Sequence, residues 1–139
     1  KNFFYYKGAT VITPNTNEAS EASRIPVTDQ FSVEKMGKTL LKRLQCNALV
    51  ITQGEKGMTI FEPYQKPYRV PTVAKEVYDV TGAGDTVIGT MALALGTGSS
   101  VTYKDAASLA NYAAGIVVGK VGTAIVSQEE LLNVIKEKT

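Results

Sequence analysis

Residues 79–86 read Asp-Val-Thr-Gly-Ala-Gly-Asp-Thr, and this stretch predicts a tight glycine turn that leads directly into a helix. Apolar residues recur at helical spacing behind it, namely Val87, Ile88, Met91, Ala92 and Leu95. Because Gly82 and Gly84 lack a Cβ, the N–H groups of the turn can approach a bulky anion closely. The positive end of the helix dipole adds to this attraction. The stretch therefore predicts a phosphate-binding turn, with Asp85 at its edge placed to accept a proton from an attacking hydroxyl.

Upstream, residues 9–13 form a short β-branched apolar run that predicts a buried strand. Asn15 and Glu18 follow it and are spaced one helical turn apart, at the start of a helix predicted to reach Ser23. This spacing is typical of plain helix capping. It also places an amide and a carboxylate together at the carboxyl end of a strand, so a functional role and a capping role both stay open.

A second apolar run at residues 48–52 predicts another strand, buried on both faces. Thr52 ends this run, and Gly54 and Gly57 follow it before the next apolar segment. A hairpin turn between two strands explains the two glycines completely. A contact between this turn and a bound nucleotide is the functional alternative.

Three further helices are predicted from apolar spacing and capping residues. They cover residues 31–44, residues 101–119 and a final amphipathic segment that begins at a capping box after Ser127. Small residues lie on several faces of the second of these helices, which predicts close packing against its neighbours. Asn111 is the notable polar residue there, and it is either a hydrogen-bonded structural residue or a ligand contact.

The length, composition and net charge are those of an ordinary globular chain, and they exclude several classes of catalytic and binding site. The 139 residues can bury one core. The net charge is +2 and the sequence has no long basic run, so it does not indicate a basic surface of the kind that binds nucleic acid. No histidine is present, which excludes Ser-His-Asp catalysis and histidine-ligated zinc. No apolar run is long enough to span a bilayer, and Cys46, the single cysteine, cannot form an internal disulfide. We therefore expect a cytoplasmic protein without a membrane or nucleic-acid partner.

The three motifs, in this order, resemble the signature of the ribokinase-like (PfkB-type) carbohydrate kinases. The resemblance implies that Asp85 is the catalytic base and that the backbone amides of Gly82, Ala83 and Gly84 form the anion hole. It implies ATP and Mg²⁺ as cofactors, with Thr52, Gly54 and Gly57 along the ATP phosphates and Asn111 near the adenine. Asn15 and Glu18 would help to organise Mg²⁺, and Asp79 and Thr81 would help to hold a monovalent cation such as K⁺.

The longer string at residues 77–89 is similar to the kinase domain of the heptose 7-phosphate kinase/ADP-heptose synthase proteins. This narrower resemblance implies ATP-dependent phosphorylation of D-glycero-β-D-manno-heptose 7-phosphate to the 1,7-bisphosphate, in the synthesis of ADP-heptose for the lipopolysaccharide core. Two alternatives stay open: a related kinase for another sugar or a nucleoside, and a non-catalytic nucleotide-binding module. The sequence does not determine the oligomeric state, and a homodimer of the full-length protein is kept as an expectation.

The fold implied is three-layer α/β, with a mainly parallel sheet flanked by helices. The chain begins at Lys1 without an initiator methionine and lacks the amino-terminal half that the family carries. Residues 1–139 are therefore expected to be the C-terminal, nucleotide-binding part of a carbohydrate kinase domain. Because most sugar contacts and the lid would lie in the missing part, we expect the isolated chain to be inactive or nearly so.

Overall fold

The computed structural model describes residues 2–74, 80, 82–98, 100–122 and 124–138. The chain divides into two compact units, Lys1–Val70 and Pro71–Thr139. The first unit contains the elements β1 (Val11–Ile12), α1 (Thr16–Ser23), α2 (Gln30–Leu44), β2 (Ala48–Thr52), β3 (Met58–Phe61) and β4 (Tyr68–Val70). The second contains α3 (Ala83–Gly96), α4 (Tyr103–Val118) and α5 (Gln128–Lys138). The helices predicted from the sequence are confirmed within a few residues at their ends.

The four described strands form one sheet in the order β1-β2-β3-β4. β1 pairs with β2 in parallel, with Val11 opposite Ala48, whereas β2–β3 and β3–β4 are antiparallel pairs. The short turn at residues 53–57 joins β2 to β3, and a parallel neighbour would need a crossover of roughly a dozen residues or more. The α/β class is confirmed, and these strand directions correct the expectation of a mainly parallel sheet for this part of the chain.

Helices α1 and α2 pack against each other and α2 also packs against β2 and β3, so the first unit has its own core. The helical stripe predicted for α2 is the face that is buried. The core residues contributed by α2 are Val33, Met36, Leu40 and Leu44, and those contributed by the sheet include Leu49, Ile51 and Phe61. Both alternate sets of β2 side chains are buried, since Val50 is as inaccessible as Leu49 and Ile51. The prediction of a strand covered on both faces is thereby confirmed.

The second unit is built mainly on the contact between α3 and α4. Met91 and Val87 of α3 are buried, and the buried residues of α4 include Ala106, Ala107, Ala110 and Ala113. Alanine has a short side chain, so neighbouring backbones can approach α4 closely, as the sequence predicts. Among the described residues, no helix combines the length and hydrophobicity that crossing a membrane requires.

Gly37 is a close-packing position inside α2. A Cβ atom built there would overlap the ring of Phe61, the β3 residue opposite Leu49. Glycine normally weakens a helix interior, because it loses more backbone freedom on folding than alanine does. At this position the absence of a side chain is what allows the helix to lie directly on the aromatic ring.

We expect Gly37→Ala to lower the free energy of unfolding by about 1–2 kcal/mol, because overpacking typically costs 1–3 kcal/mol and the better helix propensity of alanine offsets part of it. The measurement is urea unfolding of the purified protein. Gly89→Ala in α3 is the control, since a Cβ there meets no described atom within 4 Å. It should be neutral or stabilising. Equal unfolding midpoints for both variants and the parent would contradict the assigned role of Phe61.

Candidate functional site

The carboxyl ends of β1 and β2 bring two predicted site residues of the first unit together. Asn15, which follows β1, forms a parallel β-bridge with Thr52, the last residue of β2. The Thr52 N–H donates to the Pro14 carbonyl at 3.0 Å. Parallel strands commonly present their ligand-binding residues at this end of a sheet. The arrangement therefore joins the Asn15 motif to the glycine motif that begins at Thr52.

Asn15 and Glu18 form a reciprocal capping box at the start of α1. The Glu18 N–H donates to Asn15 Oδ1 at 2.9 Å, and the Asn15 N–H donates to Glu18 Oε2 at 3.0 Å. The capping role of this pair is thus realised in the structure. Among the described residues, Oε1 of Glu18 accepts no hydrogen bond, so one carboxylate oxygen of this half-buried residue is left without a partner there.

The glycine motif forms a one-turn 3-10 helix, Gly54–Lys56, between β2 and β3. The Gln53 N–H donates to the Gly57 carbonyl at 2.8 Å, and the Gly57 N–H donates to the Gly54 carbonyl at 3.0 Å. Gly54 has φ of +60° and Gly57 has φ of +85°, values at which a side chain is strained. The predicted hairpin turn is confirmed. Its tip is exposed from Gly54 to Lys56, where backbone groups are accessible to a ligand.

Helix α3 begins differently from the other helices in the described part of the chain. α1, α2 and α4 each begin with a capping box. At the start of α5, Ser127 and Glu130 exchange the same two bonds. Gly82 is the N-cap of α3, with φ of +80°, and among the described residues no side chain caps this helix. The first-turn N–H groups of α3 are therefore left without the side-chain acceptor that the other helices provide.

Of the three amides predicted to form an anion hole, that of Ala83 is engaged in a turn. Its N–H donates to the Val80 carbonyl at 3.2 Å, so binding an anion there requires this bond to be given up or shared. Gly84 is exposed, and a Cβ built on it would meet no described atom within 4 Å. The N–H groups of Gly84 and Asp85 lie in the first turn, where an α-helix offers no acceptor.

Asp85 is exposed at the third position of α3. Among the described residues, its carboxylate makes no hydrogen bond and no ion pair. Asp105 holds the same position in α4, and there the carboxylate accepts bonds from the Thr102 hydroxyl at 2.7 Å and the Thr102 N–H at 3.2 Å. These bonds hold the pKa of Asp105 below its ordinary value. The glycine N-cap of α3 has no hydroxyl with which to hold Asp85 in this way.

Asn111 is buried in α4, where its Nδ2 donates to the Pro71 carbonyl at 2.7 Å. Asn111 therefore makes a structural hydrogen bond, which is one of the two roles that the sequence allows for it. In the loop before α5, Lys120 Nζ donates to the Ile125 carbonyl at 2.8 Å and pairs with Glu130 Oε1 at 2.6 Å. The hydrogen bond from Lys120 lowers the pKa of Glu130 to about 2.

Two predicted ligands of a monovalent cation, Asp79 and Thr81, lie outside the described residues. Within the described ranges, no three His, Cys, Asp or Glu side chains come together as a metal-binding group would. Sequence reasoning gave no reason to single out Gln53, although it lies inside the glycine motif. Its side chain bonds to residues that are distant in the sequence, Gln30 and Thr59.

A model of the family described as "pfkB family carbohydrate kinase" matches residues 5–130. The chain is 53% identical over 126 residues to the bifunctional protein HldE of Desulfatibacillum aliphaticivorans, a match that covers 91% of this chain and 25% of that protein. It is 50% identical over 134 residues to the bifunctional protein HldE of Haemophilus influenzae, which covers 96% of this chain and 28% of that protein. The chain thus spans about a quarter of the length of these relatives.

Solved structures are similar over nearly the whole chain. Phosphofructokinase-2 from Escherichia coli, in complex with potassium, superimposes with a TM-score of 0.85 at 17% identity, covering 96% of this chain and 42% of that one. Ribokinase from Thermotoga maritima superimposes with a TM-score of 0.78 at 28% identity, covering 91% of this chain and 42% of that one. The ribokinase-like fold predicted from the sequence is confirmed by these similarities.

The two glycines at the start of α3 should respond differently to alanine. Gly82→Ala should lower the free energy of unfolding by about 1–2 kcal/mol, because a left-handed backbone conformation is strained for a residue with a Cβ. Gly84→Ala, the matched control, should leave stability unchanged or raise it by up to about 1 kcal/mol, since alanine favours the helix and the site is open. Chemical unfolding of both variants decides between these outcomes. A Gly84→Ala variant that is the less stable of the two would contradict the cap geometry.

Proposed function

Because the chain belongs to the pfkB family of carbohydrate kinases, we propose that it forms the C-terminal, nucleotide-binding part of an ATP-dependent sugar kinase. The observation that carries the proposal is the start of α3. There Asp85, an exposed carboxylate without a partner among the described residues, follows a helix N-terminus that no described side chain caps. On this proposal the 139 residues alone have little or no activity, because the sugar-binding part of the kinase lies elsewhere in the full-length protein.

Asp85 acts in this mechanism as the general base. It accepts the proton of the sugar hydroxyl as that oxygen attacks the terminal phosphorus of ATP, and the bond to the ADP oxygen breaks. Its exposure leaves the carboxylate accessible to an incoming hydroxyl. A carboxylate next to transferring phosphate is unfavourable by charge repulsion, so its place at this helix end is explained by proton transfer rather than by phosphate binding.

The backbone at the start of α3 stabilises the negative charge that develops during transfer. The amides of Gly82, Ala83 and Gly84 form the anion hole, and the helix dipole strengthens their effect. The Ala83 amide contributes once its bond to Val80 is given up. The bare Gly84 Cα leaves room for a phosphate oxygen to approach, since no described atom other than those of the adjacent residues and the helix backbone lies within 4 Å of the Cβ position.

The turn after β2 binds the ATP phosphates in this proposal. The Thr52 hydroxyl and the backbone amides at Gly54 and Gly57 would contact the phosphate oxygens, and Asn111 would lie near the adenine. Asn15 and Glu18 would hold Mg²⁺ through water, and the Glu18 oxygen that has no hydrogen-bond partner among the described residues fits this role. Mg²⁺ would neutralise phosphate charge. Asp79 and Thr81 would help to hold K⁺, an ion that the similar phosphofructokinase-2 structure contains.

The proposed acceptor is D-glycero-β-D-manno-heptose 7-phosphate, converted to the 1,7-bisphosphate for ADP-heptose synthesis. Two observations support this choice over another sugar. The string at residues 77–89 resembles heptose 7-phosphate kinases, and the relatives that are about half identical to the chain are HldE proteins.

Asp85→Asn, made in the full-length protein, should lower kcat by roughly 10²- to 10⁴-fold, the usual contribution of a general base. The KM for ATP should change little, because Asp85 does not bind nucleotide in this mechanism. The measurement is steady-state kinetics with saturating sugar phosphate.

Asp105→Asn is the matched control for this variant, since Asp105 occupies the same position in α4 and lies in a capping box. It should lose some stability and keep kcat. Equal losses of kcat in the two variants would mean that Asp85 acts through stability and not through proton transfer.

A panel of sugars, sugar phosphates and nucleosides, assayed with ATP and the full-length protein, tests the proposed acceptor. We expect heptose 7-phosphate to give the highest kcat/KM by at least about tenfold, the factor that corresponds to 1.4 kcal/mol of differential transition-state binding. If a pentose, hexose or nucleoside gives the highest kcat/KM instead, the proposed acceptor is wrong and the proposed phosphoryl transfer still holds. No turnover with any acceptor, together with measurable ATP binding, would favour a non-catalytic nucleotide-binding module.

A further inference from the structure

Three side chains in the first unit form a closed ring of hydrogen bonds beside the glycine turn. Gln53 Nε2 donates to Gln30 Oε1 at 2.9 Å. Gln30 Nε2 donates to Thr59 Oγ1 at 3.2 Å, and Thr59 Oγ1 donates to Gln53 Oε1 at 2.6 Å. The ring joins three separate elements: the first residue of α2, the middle of β3 and the residue that follows β2.

Each group in this ring donates once and accepts once. Rotating one amide alone by half a turn would oppose donor to donor and acceptor to acceptor, so the ring fixes the two amide orientations relative to each other. Thr59 is fully inaccessible to solvent, and Gln30 and Gln53 are half-buried. Hydrogen bonds in a closed, poorly hydrated network strengthen one another, and losing one leaves a donor and an acceptor without a partner.

Gln53 connects this ring to the backbone of the glycine turn. Its N–H donates to the Gly57 carbonyl at 2.8 Å, and its own carbonyl accepts from the Lys56 N–H at 3.2 Å. Gln53 is the N-cap residue of the Gly54–Lys56 turn, yet its side chain does not cap that turn. The side chain is directed to Gln30 and Thr59 instead. Two of the three backbone hydrogen bonds of the turn therefore involve a residue whose side chain is held by the ring.

We propose that Gln30, Gln53 and Thr59 are positioning residues that hold the glycine turn in the conformation that binds nucleotide phosphates. This inference rests on the proposed function, because it assigns a purpose to the same turn. Gly54 and Gly57 provide a backbone that can adopt many conformations. The ring supplies the restraint that those glycines lack, so ATP does not have to order the turn when it binds.

The composition of β3 supports a role beyond stability. Thr59 lies among Met58, Ile60 and Phe61, all of them buried and apolar. A valine of nearly the same shape would fill the position of Thr59 without needing a partner, and it favours strands equally well. The hydroxyl instead ties β3 to the two glutamines, one of which begins the turn that carries the phosphate-binding amides.

Thr59→Val in the full-length protein tests the proposal. It should raise the KM and the Kd for ATP by roughly three- to tenfold, the range that corresponds to one lost hydrogen bond. The KM for the sugar should change less than twofold. Thr59→Ser keeps the hydroxyl and should restore both constants for ATP. Gln30→Met, at a half-buried helix start, should raise the same two constants if Thr59→Val fails to fold.

Ile60→Val is the matched control, because it removes one methyl group from the neighbouring β3 position and leaves the ring intact. It should lower the melting temperature without changing the KM for ATP. A Thr59→Val variant that loses stability but keeps its ATP constants, as the control does, would overturn the proposal. If the parent binds ATP but phosphorylates no sugar, the proposed function fails, and the Kd for ATP of each variant still decides the role of the ring.

Discussion

Gly57 has φ of +85° and ψ of −131°, and Gly82 has φ of +80°, so both candidate phosphate-binding segments depend on backbone that only glycine adopts without strain. Such a backbone exposes N–H groups, which is what an anion requires, but it is also the most costly to order. The two units hold their glycine backbone in place by different sets of hydrogen bonds. In the first, hydrogen bonds between peptide groups close the turn at residues 53–57, and side chains from α2 and β3 hold its first residue.

In the second unit, residues inside α3 hold the glycine cap in place. The Thr86 N–H and hydroxyl both donate to the Gly82 carbonyl, at 2.9 Å and 3.0 Å. These two bonds from Thr86 stabilise the first turn of α3. The side chains of Val87 and Met91 in the same helix are buried in the core. Among the described residues, no side chain caps the N-terminal end of this turn. A glycine N-cap stabilises a helix less than Ser, Thr, Asn or Asp does by only about a few tenths of a kcal/mol, and a ligand that accepts from the first-turn N–H groups offsets that difference.

Local sequence signals predicted most of the fold and the positions of the motifs. Capping boxes and apolar spacing predicted where the helices begin and end, because each of these signals lies within three or four residues of the helical turn that it describes. The antiparallel pairing of β2 with β3 was implied by the short glycine turn, but the family resemblance led to the expectation of a mainly parallel sheet. The ring of Gln30, Gln53 and Thr59 could not be predicted, since its members are far apart in the sequence and only folding brings them together. The bond from Ala83 to Val80 also has no distinctive sequence signal.

Asp85 and Asp105 show how a single neighbouring residue decides what an acidic side chain does. Both occupy the third position of a helix, where the dipole favours a negative charge. In α4 the N-cap is Thr102, whose hydroxyl and N–H both donate to the Asp105 carboxylate and hold it at the helix end. In α3 the N-cap is Gly82, which has no hydroxyl to offer. The glycine at the candidate anion site is therefore the same residue that leaves Asp85 exposed, so one substitution at residue 82 alters both the candidate anion site and the environment of the proposed base.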